Sequence, residues 1–224
     1  MGKRVPDQCA YCGELGATRD HVPPKGLYAR PLPSGLITVP ACSTHNTGSS
    51  LDDEYFRAML SFRQDAHDRS EAAGAAQRAL HRILRPESEG FLRSFLRSMT
   101  EYNITTPTGS LEPLASYDVD MPRLTSVVER TVRGLFYYHT GVRLTVDRPV
   151  TVYPVESLRR DPPSFARFAP AVSWAYEAAA HATPRNVLQY RYRQTDADPL
   201  SSVWLLNFYE SVPFVAVTLS RPSR

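Results

Sequence analysis

Three cysteines and one histidine stand in two short pairs near the start of the chain. Cys9 and Cys12 are separated by two residues, and so are Cys42 and His45. Two pairs with this spacing are typical of a structural zinc site, whose four ligands close a tetrahedron. Because these pairs contain every cysteine, none is left for a disulfide, and metal binding in a reducing compartment is the better explanation. The four residues are therefore predicted to hold a structural zinc ion.

A second set of polar residues, with different chemistry, lies among these ligands. Asp20 and His21 are adjacent between the two pairs, and Asn46 directly follows the last ligand. An imidazole that titrates near neutrality can take a proton from a water molecule attacking phosphorus. Carboxylate and amide oxygens are ligands that suit Mg²⁺ or Mn²⁺. In a regular strand Asp20 and His21 point to opposite faces, so a kink at Pro23-Pro24 would be needed to bring both to one phosphate.

The order of these motifs resembles that of the zinc-containing HNH endonucleases. Cys-x2-Cys-Gly is followed by Asp-His-Val-x-Pro and then by Cys-x2-His-Asn, over about residues 7–57. The resemblance implies a ββα-metal finger that hydrolyses phosphodiester bonds of nucleic acid, with DNA as the expected substrate. It also implies that His21 is the general base and that Asp20 and Asn46 hold the catalytic Mg²⁺ or Mn²⁺.

One motif residue of that family is missing. The middle Asn, which braces the loop carrying the base, has Ser34 or Gly35 nearest in place. The alternative hypothesis is therefore a catalytically inactive zinc-finger module that binds nucleic acid or a partner protein. Lys25 and, more weakly, Arg19 are candidates for a phosphate contact, with a solvated side chain as the alternative for each.

Composition sets limits on the remaining possibilities. The formal net charge of +3 over 224 residues does not by itself indicate nucleic-acid binding, and no basic run forms a DNA-binding stripe. No apolar run approaches the ~20 residues of a membrane span, and the N-terminus has no apolar stretch for a signal peptide. A cytoplasmic protein without membrane contact is therefore expected.

Apolar spacing predicts helices first and strands later. One helix is expected to begin at Ser50, with Ser50 as N-cap and Asp53 in capping-box position. Another follows before Pro86, a third covers about 89–100, and the strongest ends at Gly141. Residues 103–122 read as a loop or linker. Alternating patterns predict strands at Val142–Asp147, Val150–Val155, Val187–Arg193, Val203–Tyr209 and Phe214–Leu219.

The expected fold class is α+β. Residues 1–57 form the zinc-stapled ββα-metal finger, 58–102 form a helical segment, and 103–224 form a region with a mostly antiparallel sheet. The role of residues 103–224 is open: they are candidates for binding a partner protein or for oligomerisation. Sensing a trigger in phage defence is a further hypothesis for them.

Overall fold

The computed structural model describes residues 8–66, 69–145 and 148–219. The α-helices are α1 (Ser43–Asn46), α2 (Ser50–Ser61), α3 (Ser70–Ile83), α4 (Glu89–Ser98), α5 (Met121–Thr140), α6 (Val155–Arg159) and α7 (Pro162–Tyr176). The strands are β1 (Thr18–His21), β2 (Thr38–Ala41), β3 (Thr100–Thr105), β4 (Leu111–Ser116), β5 (Val150–Pro154), β6 (His181–Ala182), β7 (Leu188–Gln194), β8 (Ser202–Phe208) and β9 (Val212–Thr218). All pairings are antiparallel, which confirms the predicted α+β class.

The C-terminal sheet has five strands in the order β5-β9-β8-β7-β6. Alternation along β8 sends Trp204 and Leu206 into the main core and Val203 to the opposite face. The main core lies against α5, whereas α6 and α7 cover the opposite face through a smaller cluster around Leu158. The strands predicted within residues 150–219 are thus confirmed to within a few residues at each end.

Helix α5 joins the sheet to the N-terminal hairpin formed by β1 and β2. It begins with Asp120, whose side chain accepts a hydrogen bond from the backbone N–H of Arg123, and it ends at Gly141 with φ 70°. At Gly134 an added Cβ would lie 2.6 Å from a methyl group of Val22. Only glycine therefore allows this close approach between α5 and the segment that follows β1.

The region predicted as a linker, 103–122, was wrongly assigned. Strands β3 and β4 pair as a hairpin there, and Gly109 turns the connection with φ 84°. Every residue of the two strands except Leu114 is exposed. Because both faces meet water, the strands carry no apolar alternation, which is the signal that sequence reasoning uses.

Two further local predictions were wrong. Helix α2 begins at Ser50, and its N-cap is Ser49, whose side chain makes no capping hydrogen bond. Asp53 forms an ion pair with Arg130 of α5 instead of completing a capping box. Residues 142–145 form no strand, because the guanidinium of Arg133 takes the carbonyl oxygens of Leu144 and Thr145. Residues 146–147 of that predicted strand lie outside the described residues.

Helices α6 and α7 were missed by the sequence patterns. Helix α7 opens with Pro162 and Pro163, which suit a first turn because their missing N–H groups would have no helical partner. Asp161 caps this turn by accepting a hydrogen bond from the backbone N–H of Ser164. The predicted boundaries at 57/58 and 102/103 stay predictions, although the main core draws residues from all three segments.

No helix in the described part of the chain combines the length and the apolar character that a membrane span needs.

Candidate metal centre and active site

The four predicted zinc ligands converge at one point. The ligand atoms of Cys9, Cys12, Cys42 and His45 all lie within 4.8 Å of one another. The sulfurs of Cys12 and Cys42 are 3.8 Å apart, and Nδ1 of His45 lies 3.2 Å from the Cys42 sulfur and 3.9 Å from the Cys9 sulfur. A tetrahedron with Zn–S bonds of about 2.3 Å requires a sulfur–sulfur separation of about 3.8 Å. The cluster therefore has the ligands and the spacing to hold a zinc ion.

Local backbone structure brings the two pairs together. Gly13, with φ 87°, turns the chain behind the first pair, and its N–H donates to the carbonyl of Cys9. The N–H of Ala10 donates to the carbonyl of Pro40, which ties this turn to β2. The second pair lies at the end of β2, where Cys42 is the N-cap of α1. The hairpin and α1 thus fix the positions of all four ligands.

The protonation preferences of two ligands suit a metal. Burial works against ionisation of Cys9, but hydrogen bonds from nearby backbone N–H groups lower the pKa of its thiol overall. Burial, together with the charge of Arg130, lowers the pKa of His45. A neutral imidazole and an ionisable thiol are the forms that bind zinc. Burial raises the pKa of the Cys12 thiol to about 11, so the fit to zinc rests on the identity and spacing of the four donors and on the ionisation preferences of Cys9 and His45.

Asp20 is part of a buried ion-pair network. Its carboxylate accepts a 2.8 Å hydrogen bond from the hydroxyl of Tyr11, and Nε of Arg130 lies 3.5 Å away. The same guanidinium contacts the carboxylate of Asp53. Burial raises the pKa of Asp20, against the opposing charge of Arg130, and raises the pKa of Asp53 to about 6. One cation from α5 thus compensates two carboxylates, one from β1 and one from α2.

His21 lies on the other face of β1, half-buried. In the hairpin register it stands opposite Thr38, while Asp20 stands opposite Val39. Burial lowers the pKa of His21, and the nearby charge of Lys25 lowers it further. The imidazole is therefore neutral at neutral pH, which is the protonation state that a general base needs.

Asn46 contacts the same strand from α1. Its amide nitrogen donates to the hydroxyl of Thr18 at 3.0 Å and to the carbonyl of Arg19 at 3.2 Å. These bonds hold α1 against β1 through the amide nitrogen of Asn46, and the amide oxygen is the atom of this side chain that can act as an acceptor or a metal ligand. The three predicted residues Asp20, His21 and Asn46 therefore all lie on or against β1, but not on one face of it.

The arrangement does not offer Asp20 as an open ligand for Mg²⁺ or Mn²⁺. The Asp20 residue is 5% exposed, and its carboxylate already faces Arg130 and the Tyr11 hydroxyl. A divalent cation at this carboxylate would lie next to the guanidinium of Arg130. Two cations at such short range repel each other, so this position is unfavourable for a metal ion. Within the described ranges, no second group of three His, Cys, Asp or Glu side chains converges as the zinc ligands do.

The structure also gives the positions of the remaining predicted residues and of one residue, Arg130, that the sequence did not suggest. Arg19 and Lys25 are exposed, as phosphate contacts must be, and Ser34 and Gly35 are exposed as well. Nothing lies within 4 Å of a Cβ built at Gly35, so this loop tip does not replace the bracing Asn by packing. Sequence reasoning missed Arg130, because nothing in the spacing of α5 links it to an aspartate 110 positions earlier in the chain.

We expect His45→Ala to lose zinc and to unfold the N-terminal hairpin, because a structural zinc site needs all four ligands. Zinc content by mass spectrometry and the thermal unfolding temperature are the measurements. His81→Ala is the matched control, since His81 is exposed and outside the cluster. A stable His45→Ala variant that keeps a full equivalent of zinc would refute the metal centre.

We expect Arg130→Met to lower the free energy of unfolding at neutral pH by about 3–5 kcal/mol, because it leaves the buried carboxylate of Asp20 and the partly buried carboxylate of Asp53 without their cation. Arg123→Met is the control from the same helix. Its ion pair with Asp52 is more than a third exposed on each side and should cost no more than about 1 kcal/mol. Urea denaturation measures both, and equal losses would contradict the special role given to Arg130.

Comparisons with known proteins identify no family for this chain. No protein-family model matches it, and neither a curated protein nor a solved structure is significantly similar to it. Its function therefore has to be inferred from the residues of the site and their arrangement.

Proposed function

We propose that this protein is an endonuclease of the HNH type, which hydrolyses phosphodiester bonds of nucleic acid, with DNA as the expected substrate. In this proposal His21 is the general base, and the zinc bound by Cys9, Cys12, Cys42 and His45 is structural. The observation that carries the proposal is the half-buried, neutral imidazole of His21 on a hairpin that the metal cluster holds together.

In this proposal the residues of this chain transfer a proton and hold the strand that carries the general base in position. Neutral His21 takes a proton from the water that attacks phosphorus, and the charge of nearby Lys25 favours an anionic phosphate at the same place. Asn46 keeps β1 in position through its bonds to Thr18 and Arg19. The requirement for Mg²⁺ or Mn²⁺, and the roles of Asp20 and Asn46 as its ligands, come from the HNH resemblance and stay part of the proposal to be tested.

A second candidate function is a zinc-stapled module that binds nucleic acid or a partner protein without cutting. The specific observation in its favour is that Asp20 is paired with Arg130 and not open to solvent. The missing middle Asn supports the same alternative. Binding of a partner or a second copy through residues 103–224, a role in phage defence and a cytoplasmic location remain predictions from the sequence.

We expect the purified protein to nick supercoiled plasmid DNA when Mg²⁺ or Mn²⁺ is added, and His21→Ala to abolish nicking because no other neutral base stands at that position. EDTA added at the start of the assay should stop the reaction. Zinc content and unfolding temperature of the variant should equal those of the wild type. If wild-type protein with full zinc content binds DNA but never nicks it, the second candidate function is correct.

We expect the pH profile of cleavage to report the pKa of His21. Because the base must be neutral, kcat/KM should rise with pH through a pKa below the ordinary histidine value of about 6.5 and then level off. Lys25→Met removes a cation that disfavours the imidazolium, so the rising limb should move to higher pH. Arg97→Met is the control, since it removes an exposed cation from α4, outside the β1–β2 hairpin. An unmoved limb in Lys25→Met would contradict the assignment of the base.

A further inference from the structure

Cationic side chains surround the loop of residues 25–31, which follows β1 after the Pro23-Pro24 turn. The loop itself carries Lys25 and Arg30, both exposed. Arg78 of α3 reaches in from one side and donates to the carbonyls of Gly26 and Tyr28, at 3.0 and 2.6 Å. These contacts use neutral carbonyl oxygens, so they fix the guanidinium without cancelling its charge.

Three further arginines extend this cluster. Arg185 donates to the carbonyls of Ala29 and Pro31. Arg57 of α2 lies beside the loop, with its Nη1 3.4 Å from a Cβ built at Gly26. Arg82 lies one helical turn beyond Arg78 on the same face of α3, and its side chain is 45% exposed. We call the surface formed by Lys25, Arg30, Arg57, Arg78, Arg82 and Arg185 the loop face.

The loop face holds an excess of positive charge. Two carboxylates balance part of it: Glu54, 3.2 Å from Arg82, and Glu71, 3.0 Å from Arg185. Six cations against two carboxylates leave four positive charges here, compared with a net charge of +3 for the whole chain. The buried Nε of Arg57 has no hydrogen-bond partner among the described residues, and burial together with Arg78 lowers the pKa of this guanidinium.

The loop face adjoins the proposed general base. His21 is the last residue of β1, and Lys25, the first cation of the loop face, follows it by four residues through the Pro23-Pro24 turn. The hairpin β3–β4 has the opposite character. It carries Glu101 and Glu112 without a basic residue, which makes it unsuited to a polyanion. Charge therefore separates the surface into a region that attracts nucleic acid and a region that repels it.

We propose that the loop face binds the sugar-phosphate backbone of the nucleic acid substrate and delivers one phosphate to His21. This proposal rests on the proposed function for the nature of the substrate. Guanidinium groups that protein carbonyls already orient can contact phosphate oxygens with little loss of side-chain freedom. Contacts of this kind position the strand without reading its sequence.

The test is the salt dependence of DNA binding by His21→Ala protein, with no divalent ion added so that binding is separated from cleavage. Fluorescence anisotropy of a labelled duplex between about 50 and 200 mM salt gives the slope of log K against log salt concentration. The slope is negative, and each lost phosphate contact makes it shallower by about 0.9. We expect Arg30→Gln combined with Arg82→Gln to make the slope shallower by about 1.8, for duplexes of any sequence.

The matched control is Arg93→Gln combined with Arg97→Gln, which removes the same charge from exposed positions on α4. That pair should leave the slope unchanged. An unchanged slope in the Arg30/Arg82 variant, equal losses in the two variants, or no salt-dependent binding by the parent protein would each overturn the proposal. These outcomes do not depend on nicking: if the slope changes as expected but wild-type protein never cuts, the loop face stands and the nuclease proposal falls.

Discussion

The contact on which the N-terminal half most depends is the guanidinium of Arg130 between two aspartates. Asp20 comes from β1, Asp53 from α2 and Arg130 from α5, so one buried cation joins three elements that are distant in sequence. Without Arg130, the buried carboxylate of Asp20 and the partly buried carboxylate of Asp53 would lack a compensating charge, which would be costly. The hydroxyl of Tyr11 donates a further hydrogen bond to Asp20. The long helix α5, which also lies against the sheet, is thereby held across the hairpin and the metal cluster.

This contact uses the same carboxylate for stability that the HNH resemblance assigns to catalysis. The carboxylate that the resemblance assigns to a divalent ion is the one that α5 uses for attachment. His21, in contrast, directs its side chain to the other face of β1 and keeps a neutral, half-buried imidazole. The four candidate zinc ligands and His21 could take their proposed roles in their present positions, whereas Asp20 would have to give up its contact with Arg130 before it could bind a divalent ion.

Positive charge is concentrated at one place on the described surface, around the loop of residues 25–31. A net charge of +3 gives little reason to expect a polyanionic ligand. The fold, however, gathers arginines from α2, α3 and the 3-10 turn before β7 around one loop. Backbone carbonyls orient two of these side chains, Arg78 and Arg185. Glu71 balances the charge of Arg185, whereas the carbonyl contacts of Arg78 leave its charge in place.

The convergence of the four candidate zinc ligands, the helix ending at Gly141 and most of the C-terminal strands could be predicted from the sequence. The reason is that the two-residue spacing within each ligand pair, a glycine at the end of a helix and apolar periodicity are all local signals. The hairpin β3–β4 gave no such signal because both of its faces are in water, and the first turns of α7 were masked by prolines. The pairing of Asp20 with Arg130 and the gathering of cations around residues 25–31 were decided by tertiary structure alone. Both depend on side chains from helices that only the packing of the whole chain brings together.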